Sequence, residues 1–463
     1  MTTALLPGDD DTIVAVATAP GRGAVALVRL SGARAIPIAR ALGAFGGARG
    51  GELVARRSQL VTLNDAASGE RLDQVLATAF VAPRSYTGED VVELTTHGGS
   101  VSPSRVIAAC VALGARVATP GEFTRRAVLN GRMDLLQAEA VADLVDARTR
   151  AMQQQALSQL DGGLSRRLLA LRDDVIRLEA LIAYDIDFPE EDDGPIAPAR
   201  IGAAARALLA ALDALLRTAP RGAMVRDGVL VVIAGPPNAG KSSLFNALLG
   251  ESRAIVTAVP GTTRDAIEAL LDRAGDVLPL RLVDTAGLRE TDDEVEKLGI
   301  EVSARYLAQA QVVLACGASA DDVVRTVQAV GARTTAPVIP VHTKGDLRES
   351  GAPGDDSAGI TVSAERGTGL AELLARIDAV ATHDAPASAQ DSVIITRERH
   401  RAGLSVARTE VATFVDVWEN GALPAPVAAV HLLAAREAIA DLIGSVETDD
   451  VLERVFRDFC IGK

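Results

Sequence analysis

The sequence predicts an α/β N-terminal domain, then a helical domain in two parts, with a second, P-loop-bearing α/β block inserted between those parts. Three observations lead there. Apolar runs broken by turns fill 1–122, a long helical stripe follows, and near 228 the composition switches to five short β-like runs spaced by helical or loop segments. The length of 463 residues suits about three domains. With 48% hydrophobic and 23% charged residues, the chain has enough apolar material for buried cores and is not a disordered protein.

In 1–122, DTIVAVATA and GAVALVRLSG are strand-like runs separated by the PGRG turn at 20–23. LDQVLATAFV and DVVELTTHGG follow, and SRVIAACVALGARVA reads as a helix ending near Gly114. From Phe123 to 227 the pattern is helical. Leu160, Leu164, Leu168, Leu171, Val175, Leu178 and Ile182 recur at threes and fours, one stripe of about six turns that needs covering by other helices. PEEDDGP at 189–195 reads as a loop, 201–216 as an alanine-rich helix, and TAPRGAMVRDG at 218–228 as a linker. The block 228–378 has the rhythm of a parallel sheet with crossover helices. Helical patterns return in 379–463, so the block is expected to emerge from a discontinuous helical domain.

The formal net charge of −14, from 61 acidic and 47 basic residues, excludes a protein that coats nucleic acid at large and leaves room only for a local basic footprint. Candidate patches are RRA at 125–127 and RERHR at 397–401. Three cysteines, at 110, 316 and 460, suit neither a disulfide framework nor a thiolate metal site, which suggests a reduced, cytoplasmic chain. No apolar run approaches the roughly 20 residues that span a bilayer, so no membrane partner is expected.

GPPNAGKSS at 235–243 meets the pattern GxxxxGK[ST] after an apolar strand and before a helix-like segment. Backbone amides made concave by glycine, with a helix N-terminus behind them, suit a phosphate. Asn238, Ala239, Gly240, Lys241, Ser242 and Ser243 are therefore assigned to the nucleotide. Lys241 would reach the β and γ oxygens, and the Ser242 hydroxyl would meet Mg²⁺. Asp284, Thr285, Ala286 and Gly287 (DTAG) follow the next strand-like run, placing an acid for the Mg²⁺ hydration shell and an amide for the γ-phosphate. The loop between them holds Thr257, Ala258, Val259, Pro260, Gly261, Thr262 and Thr263, with Thr262 and Thr263 as candidate Mg²⁺ ligands. In VHTKGD at 341–346, Asp346 can accept from the N1–H and N2–H₂ edge of guanine and Lys344 can lie over the ring. Thr343 stands where this kind of motif usually has Asn, and its hydroxyl can keep one hydrogen bond of the amide but not both. Ser363 and Ala364 fit the last base-contacting loop. Four ordered motifs at this spacing imply a GTPase. Leu288 stands where a Ras-like enzyme has its water-orienting glutamine, so another group must orient the water; the acid-rich 288–299 is the candidate.

Taken with DTIVAVATAPGRGAVALVRLSG at 11–32, PRSYTGEDVVELTTHGG at 83–99, the run from ATPGEFTRRAVLNGRMD at 118–134, YDIDFPEE at 184–191 and the terminal CIGK, the whole chain resembles the MnmE (TrmE) family of tRNA modification GTPases. The resemblance implies a tetrahydrofolate-binding-like domain at 1–122, a discontinuous helical domain at 123–227 and 379–463, and a Ras-like G domain at 228–378. It implies a cytoplasmic homodimer that acts with the FAD-dependent partner MnmG (GidA), FAD entering only through that partner. Together they install an aminomethyl or carboxymethylaminomethyl group at C5 of wobble uridine 34 of tRNA, taking the carbon from 5,10-methylenetetrahydrofolate, for which 5-formyltetrahydrofolate is an analogue.

Carried over by position, the folate contacts fall on Arg29, Glu93, Arg132 and Lys463. The K⁺ contacts fall on Asn238, Thr257, Val259 and Thr262, with Thr263 beside Ser242 on Mg²⁺. The resemblance also makes Glu296 the water-polarising acid and Cys460 the reactive cysteine. Two other readings stay open: a regulatory GTPase that only binds folate, and a ribosome-assembly or stress GTPase without modification chemistry.

Overall fold

The computed structural model describes residues 10–46, 53–187, 197–250, 253–256, 267–273, 278–284, 305–347, 359–382, 394–444 and 462, with backbone alone at 185–187, 253–256 and 267. The chain divides into two compact units. One comprises Met1–Ala142, Leu160–Ser165 and Ala440–Lys463; the other comprises Asp143–Gln159 and Arg166–Ile439.

The first unit is built on a six-stranded sheet of β1 (Ile13–Val16), β2 (Val25–Ser31), β3 (Gln59–Asn64), β4 (Arg71–Phe80), β5 (Val91–His97) and β6 (Arg116–Val117) in the order β3-β4-β5-β2-β1-β6. All pairs are antiparallel except β1 with β6. The side-chain period of two sorts β2 by face. Ala26, Val28 and Leu30 are buried on the side that packs with Ile38 and Leu42 of α1 (Ala35–Ala41) and its C-cap, and with Val106 and Cys110 of α2 (Val101–Ala112). Arg29 points to the other side. There Ile13 and Ala15 meet Phe123 of α3 (Glu122–Leu129), and Tyr86 packs beside them.

The second unit holds α5 (Arg150–Leu160) and most of α6 (Gly163–Asp187), which follow α4 (Leu135–Asp146), together with α7 (Pro198–Leu216) and α8 (Ala219–Asp227). Six of the seven stripe residues are buried on α6, from Leu164 to Ile182. The seventh, Leu160, closes α5, because the turn at 161–162 splits the run into two helices. The segment read as a linker is the helix α8, whose Thr218 hydroxyl accepts from Ile395 N at 3.1 Å. Gly222 of that helix lies where a Cβ would meet the Ile395 carbonyl at 1.8 Å.

The inserted block is a seven-stranded sheet. Its strands are β7 (Val229–Ala234), β8 (Arg253–Val256), β9 (Ile267–Asp272), β10 (Leu280–Asp284), β11 (Val312–Gly317), β12 (Val338–His342) and β13 (Ile360–Thr361), in the order β13-β12-β11-β7-β10-β9-β8. Five strands are parallel, as the sequence suggested, and β8 and β9 add an antiparallel edge that it did not reveal. β7 is buried at every position, as a strand covered on both faces must be. The helices α9 (Lys241–Gly250), α10 (Ala320–Gly331) and α11 (Leu370–Ala381) flank the sheet.

After the block, α12 (Glu398–Glu419) packs along α7, and α13 (Ala425–Ile443) follows. Arg408 Nε meets Asp213 at 2.9 Å and Trp418 Nε1 donates to the Pro198 carbonyl at 3.1 Å, so the helices before and after the block are in direct contact. Arg436 of α13 meets Glu179 of α6 at 3.3 Å. Among the described residues no helix is long and apolar enough to cross a membrane.

Candidate nucleotide and cofactor sites

Parallel strands direct their carboxyl ends to one edge, and ligand sites of such sheets form there. β7 runs into Gly235–Gly240 and the chain re-enters helix at Lys241. Gly240 has φ +78°, and Asn238 takes the left-handed region at φ +58°. That backbone path curls the amides around an open cleft of about 1140 Å³, lined in part by Gly235, Pro236, Asn238, Lys241, Ser242 and Lys344. Lys241 Nζ donates to the carbonyls of Gly235 and Pro236 at 3.0 and 2.8 Å. The Ser242 hydroxyl donates to Asp284 Oδ2 at 2.7 Å, joining the start of α9 to the end of β10. Asp284 is 1% exposed. Two hard oxygens brought this close beside a phosphate cradle suit Mg²⁺, which prefers one or two protein oxygens completed by phosphate and water.

On the base side, the Ser363 hydroxyl donates to Asp346 Oδ1 at 2.7 Å. That bond holds the Asp346 carboxyl below the usual carboxylate range. Val362 N donates to the His342 carbonyl and Gly345 N to the Val362 carbonyl, so the two base-side loops are braced as one unit. Thr343 faces the other way. Its hydroxyl is 2.6 Å from the Ala239 carbonyl of the phosphate loop and 3.1 Å from the Gly317 carbonyl.

In the first unit, antiparallel register places Arg29 of β2 directly opposite Glu93 of β5. Arg29 Nε and Nη2 both donate to Glu93 Oε1, at 3.0 and 2.8 Å. The guanidinium carbon lies 5.3 Å from the Tyr86 ring centre and 5.7 Å from that of Phe123. Arg29 Nη1 reaches the Gly462 carbonyl at 3.5 Å. Gly462 itself sits where a Cβ would lie 2.2 Å from the Val16 carbonyl, at φ +96°, so only glycine seats the tail there. Arg132 Nε donates to the Ser85 carbonyl at 3.2 Å, on the loop that carries Tyr86. The paired charges and flat aromatic faces suit a planar heterocycle with amide-like donors and an anionic tail, as a folate has.

A family model described as the MnmE helical domain matches residues 135–460, and one described as the N-terminus of the GTP-binding protein TrmE matches 12–132. The chain belongs to the MnmE family of tRNA modification GTPases. Relatives named tRNA modification GTPase MnmE include those of Methylobacterium radiotolerans (44% identical, covering 98% of this chain and all of that one), Burkholderia thailandensis (42%, 99% and all) and Moorella thermoacetica (41%, 98% and all). A crystal structure of Era with MgGDPNP and a piece of 16S ribosomal RNA matches at 25% identity with a TM-score of 0.27, over 39% of this chain and 66% of that one.

Of the residues assigned from MnmE family resemblance, the structure brings together Arg29 and Glu93, and the neighbour of Lys463 arrives beside them. Arg132 meets the same loop as Tyr86 but makes no described bond to the pair. Glu296, Cys460, Lys463, Thr257, Ala258, Val259, Pro260, Gly261, Thr262, Thr263, Thr285, Ala286 and Gly287 lie outside the described residues. The two described cysteines, Cys110 and Cys316, are free and buried, and burial pushes each thiol up to about 12, which leaves them inert.

In the candidate arginine patches, Arg126, Arg397 and Arg401 are held in ion pairs. Arg126 is 1% exposed; Nη2 donates to Glu122 Oε1 at 3.0 Å, and Nη1 donates to the Asp11 carbonyl at 2.6 Å and to Glu89 at 3.2 Å. Arg397 pairs with Asp143, Arg401 pairs with Glu398, and His400 is buried. Sequence reasoning also missed Tyr86 and Phe123 at Arg29 and the Ser363 bond to Asp346. The first two carried no local signal, because tertiary packing alone brings them to Arg29.

Proposed function

We propose that this chain is a GTP hydrolase that powers tRNA modification, with the nucleotide held along the carboxyl edge of the 228–378 sheet. The observation that carries the reading is the convergence, at the carboxyl ends of parallel strands, of the Lys241 loop, the Ser242–Asp284 pair and the Asp346–Ser363 pair. Lys241 turns from the Gly235 and Pro236 carbonyls to the phosphates. Ser242 and Asp284 hold Mg²⁺ and its water. Asp346, kept ionised and oriented by Ser363, accepts from the guanine edge.

The finer reading extends the family's known scheme. The four parts at 1–122, 123–227, 228–378 and 379–463 act as folate-binding, helical, G and helical segments of a cytoplasmic homodimer. Asn238, with Thr257, Val259 and Thr262, holds a K⁺ that offsets charge developing on the phosphates, and Glu296 orients the water. Arg29, Glu93, Arg132 and Lys463 hold a tetrahydrofolate, which supplies the one-carbon unit for C5 of uridine 34. Glu93 accepts from the pterin, the arginines and Lys463 hold its acidic tail, and Cys460 lies close to the site in sequence. MnmG brings the flavin. With −14 on this chain and Arg126, Arg397 and Arg401 of the candidate patches held in ion pairs, much of the tRNA contact falls to MnmG.

The test is reconstitution with MnmG, tRNA, GTP and a folate donor, read as modified uridine 34 by mass spectrometry. Modification that needs GTP and folate together is the expected result. Folate-independent modification removes the cofactor part, and the absence of GTP hydrolysis removes the reading altogether.

A further inference from the structure

Three exposed arginines stand at one edge of the first unit's sheet. Arg56 and Arg57 lead into the edge strand β3, and Arg84 follows β4. Arg56 N donates to the Ala79 carbonyl and Arg56 Nη2 to the Arg84 carbonyl, each at 2.7 Å, which ties the two segments side by side. Arg56 takes the left-handed region at φ +61°, where a side chain is strained and glycine is not. Among the described residues no carboxylate pairs with any of the three. The acids that lead into β5 are engaged elsewhere: Asp90 Oδ1 accepts from Ala82 N at 2.9 Å, and Glu89 is held by Ser31 and Arg126.

The loop that carries Arg84 continues to the cofactor site. Ser85, the next residue, gives its carbonyl to Arg132 Nε at 3.2 Å, and Tyr86 packs 5.3 Å from the Arg29 guanidinium carbon. A guanidinium is always charged, weakly hydrated and rich in donors, which suits phosphate oxygens when no carboxylate has claimed it. A chain that carries −14 repels RNA over most of its surface, so it can hold RNA only through a local exception. We infer that Arg56, Arg57 and Arg84 form a surface that contacts the phosphate backbone of tRNA, beside the loop that supplies Tyr86 to the folate-side residues. Phosphate contacts position without reading sequence, so this surface holds the RNA near the one-carbon donor and leaves the choice of nucleotide to other groups. The inference rests on the tRNA-modification reading above and adds the place where this chain itself touches its substrate.

Among the described residues the side chains of Arg57 and Arg84 make no bond within the protein, so both can be changed without removing a structural contact. The full-length wild type, the double variant Arg57→Gln with Arg84→Gln, and the double variant Arg57→Lys with Arg84→Lys are titrated against fluorescent tRNA by anisotropy over a salt series. The glutamine variant is expected to bind about tenfold more weakly near physiological salt. Its slope of log K against log salt is expected to fall by about one to two, since each lost phosphate contact removes a little under one. The lysine variant keeps both charges and is expected to stay close to wild type, because phosphate accepts from an ammonium as a point charge. In the reconstitution with MnmG, the glutamine variant should raise KM for tRNA while kcat, GTP hydrolysis and 5-formyltetrahydrofolate affinity stay as in wild type.

Glutamine and wild-type proteins with the same tRNA affinity and salt slope would leave the arginines as charges that keep an edge strand from pairing, and the inference falls. It falls equally if the wild type binds no tRNA, or if the lysine variant is as weak as the glutamine one. A loss seen in MnmG binding without RNA would make the surface a protein contact, and a loss confined to folate would make it part of the cofactor site; either result overturns the inference. A wild type that binds tRNA through these arginines and modifies none overturns the modification reading and leaves the surface standing.

Discussion

Arg29 Nη1 donates to the carbonyl of Gly462 at 3.5 Å, across 433 positions of sequence. The last described residue of the chain is thereby brought to Arg29 of β2 within a single chain. Removing Cys460–Lys463 is expected to weaken 5-formyltetrahydrofolate binding while leaving GTP binding at Lys241 intact, because the phosphate loop forms wholly within 229–250. Calorimetric titration of the truncated protein with each ligand checks this; an unchanged folate Kd takes the tail out of the site.

Replacing Asp346 with Asn should shift preference from GTP toward xanthosine triphosphate, whose C2 oxygen can accept from the new amide. Competition binding with the two nucleotides measures it. Equal affinities for ATP and GTP in the wild type would show that the TKGD segment does not read guanine.

Hydrolysis should rise steeply in K⁺ relative to Na⁺ and with protein concentration. Glu296→Ala should lower kcat with little change in nucleotide affinity, since water orientation matters in the transition state and not in ground-state binding. Steady-state rates in the two salts that superimpose would remove the cation from the mechanism.

Arg126→Met should destabilise the first unit by about 1–3 kcal/mol, because it takes a buried hydrogen-bonded cation from Glu89 and from Glu122, 4% exposed, which keeps Arg116 at 2.7 Å. Urea unfolding of wild type and variant followed by circular dichroism is the measurement, and a loss below about 1 kcal/mol would mean that the network is no more than a surface pair.

Asp73 gives a pH signature. Its partial burial raises the pKa, but the Ser102 hydroxyl and the His97 amide and ring outweigh that and bring it to about 2, from an ordinary 3.8. A depressed carboxylate stabilises the fold above its unfolded value, and that share is lost as pH falls from about 4 to about 2. Asp73→Asn should therefore be less stable than wild type at neutral pH, with the gap closing over that window in denaturant melts. A gap that stays constant down to pH 2 would mean that the carboxylate's charge contributes nothing.

The phosphate loop was legible because its requirement is local: an apolar strand, glycines for a left-handed path, then a helix start, all between 229 and 250. The α6 stripe was legible for the same reason, since one helix face repeats within a few residues. The antiparallel edge β8–β9 was not, because its short runs flank a threonine-rich loop that looked like loop throughout. Helix α8 was mistaken for a linker because its proline lies in the first turn, where a helix tolerates it, and its glycine is there to let Ile395 approach.

Periodicity and short motifs, which act over a few residues, were enough to name the elements, the nucleotide chemistry and the family resemblance. Which side chains meet was decided only in three dimensions. Strand register set Arg29 against Glu93, the close seat of Gly462 on Val16 brought the tail to them, and the hydroxyl of Thr343 met the Ala239 carbonyl. Each of these pairings joins groups more than 60 positions apart, and their partners are chosen by packing and by the need to satisfy buried donors and acceptors, which no local pattern records.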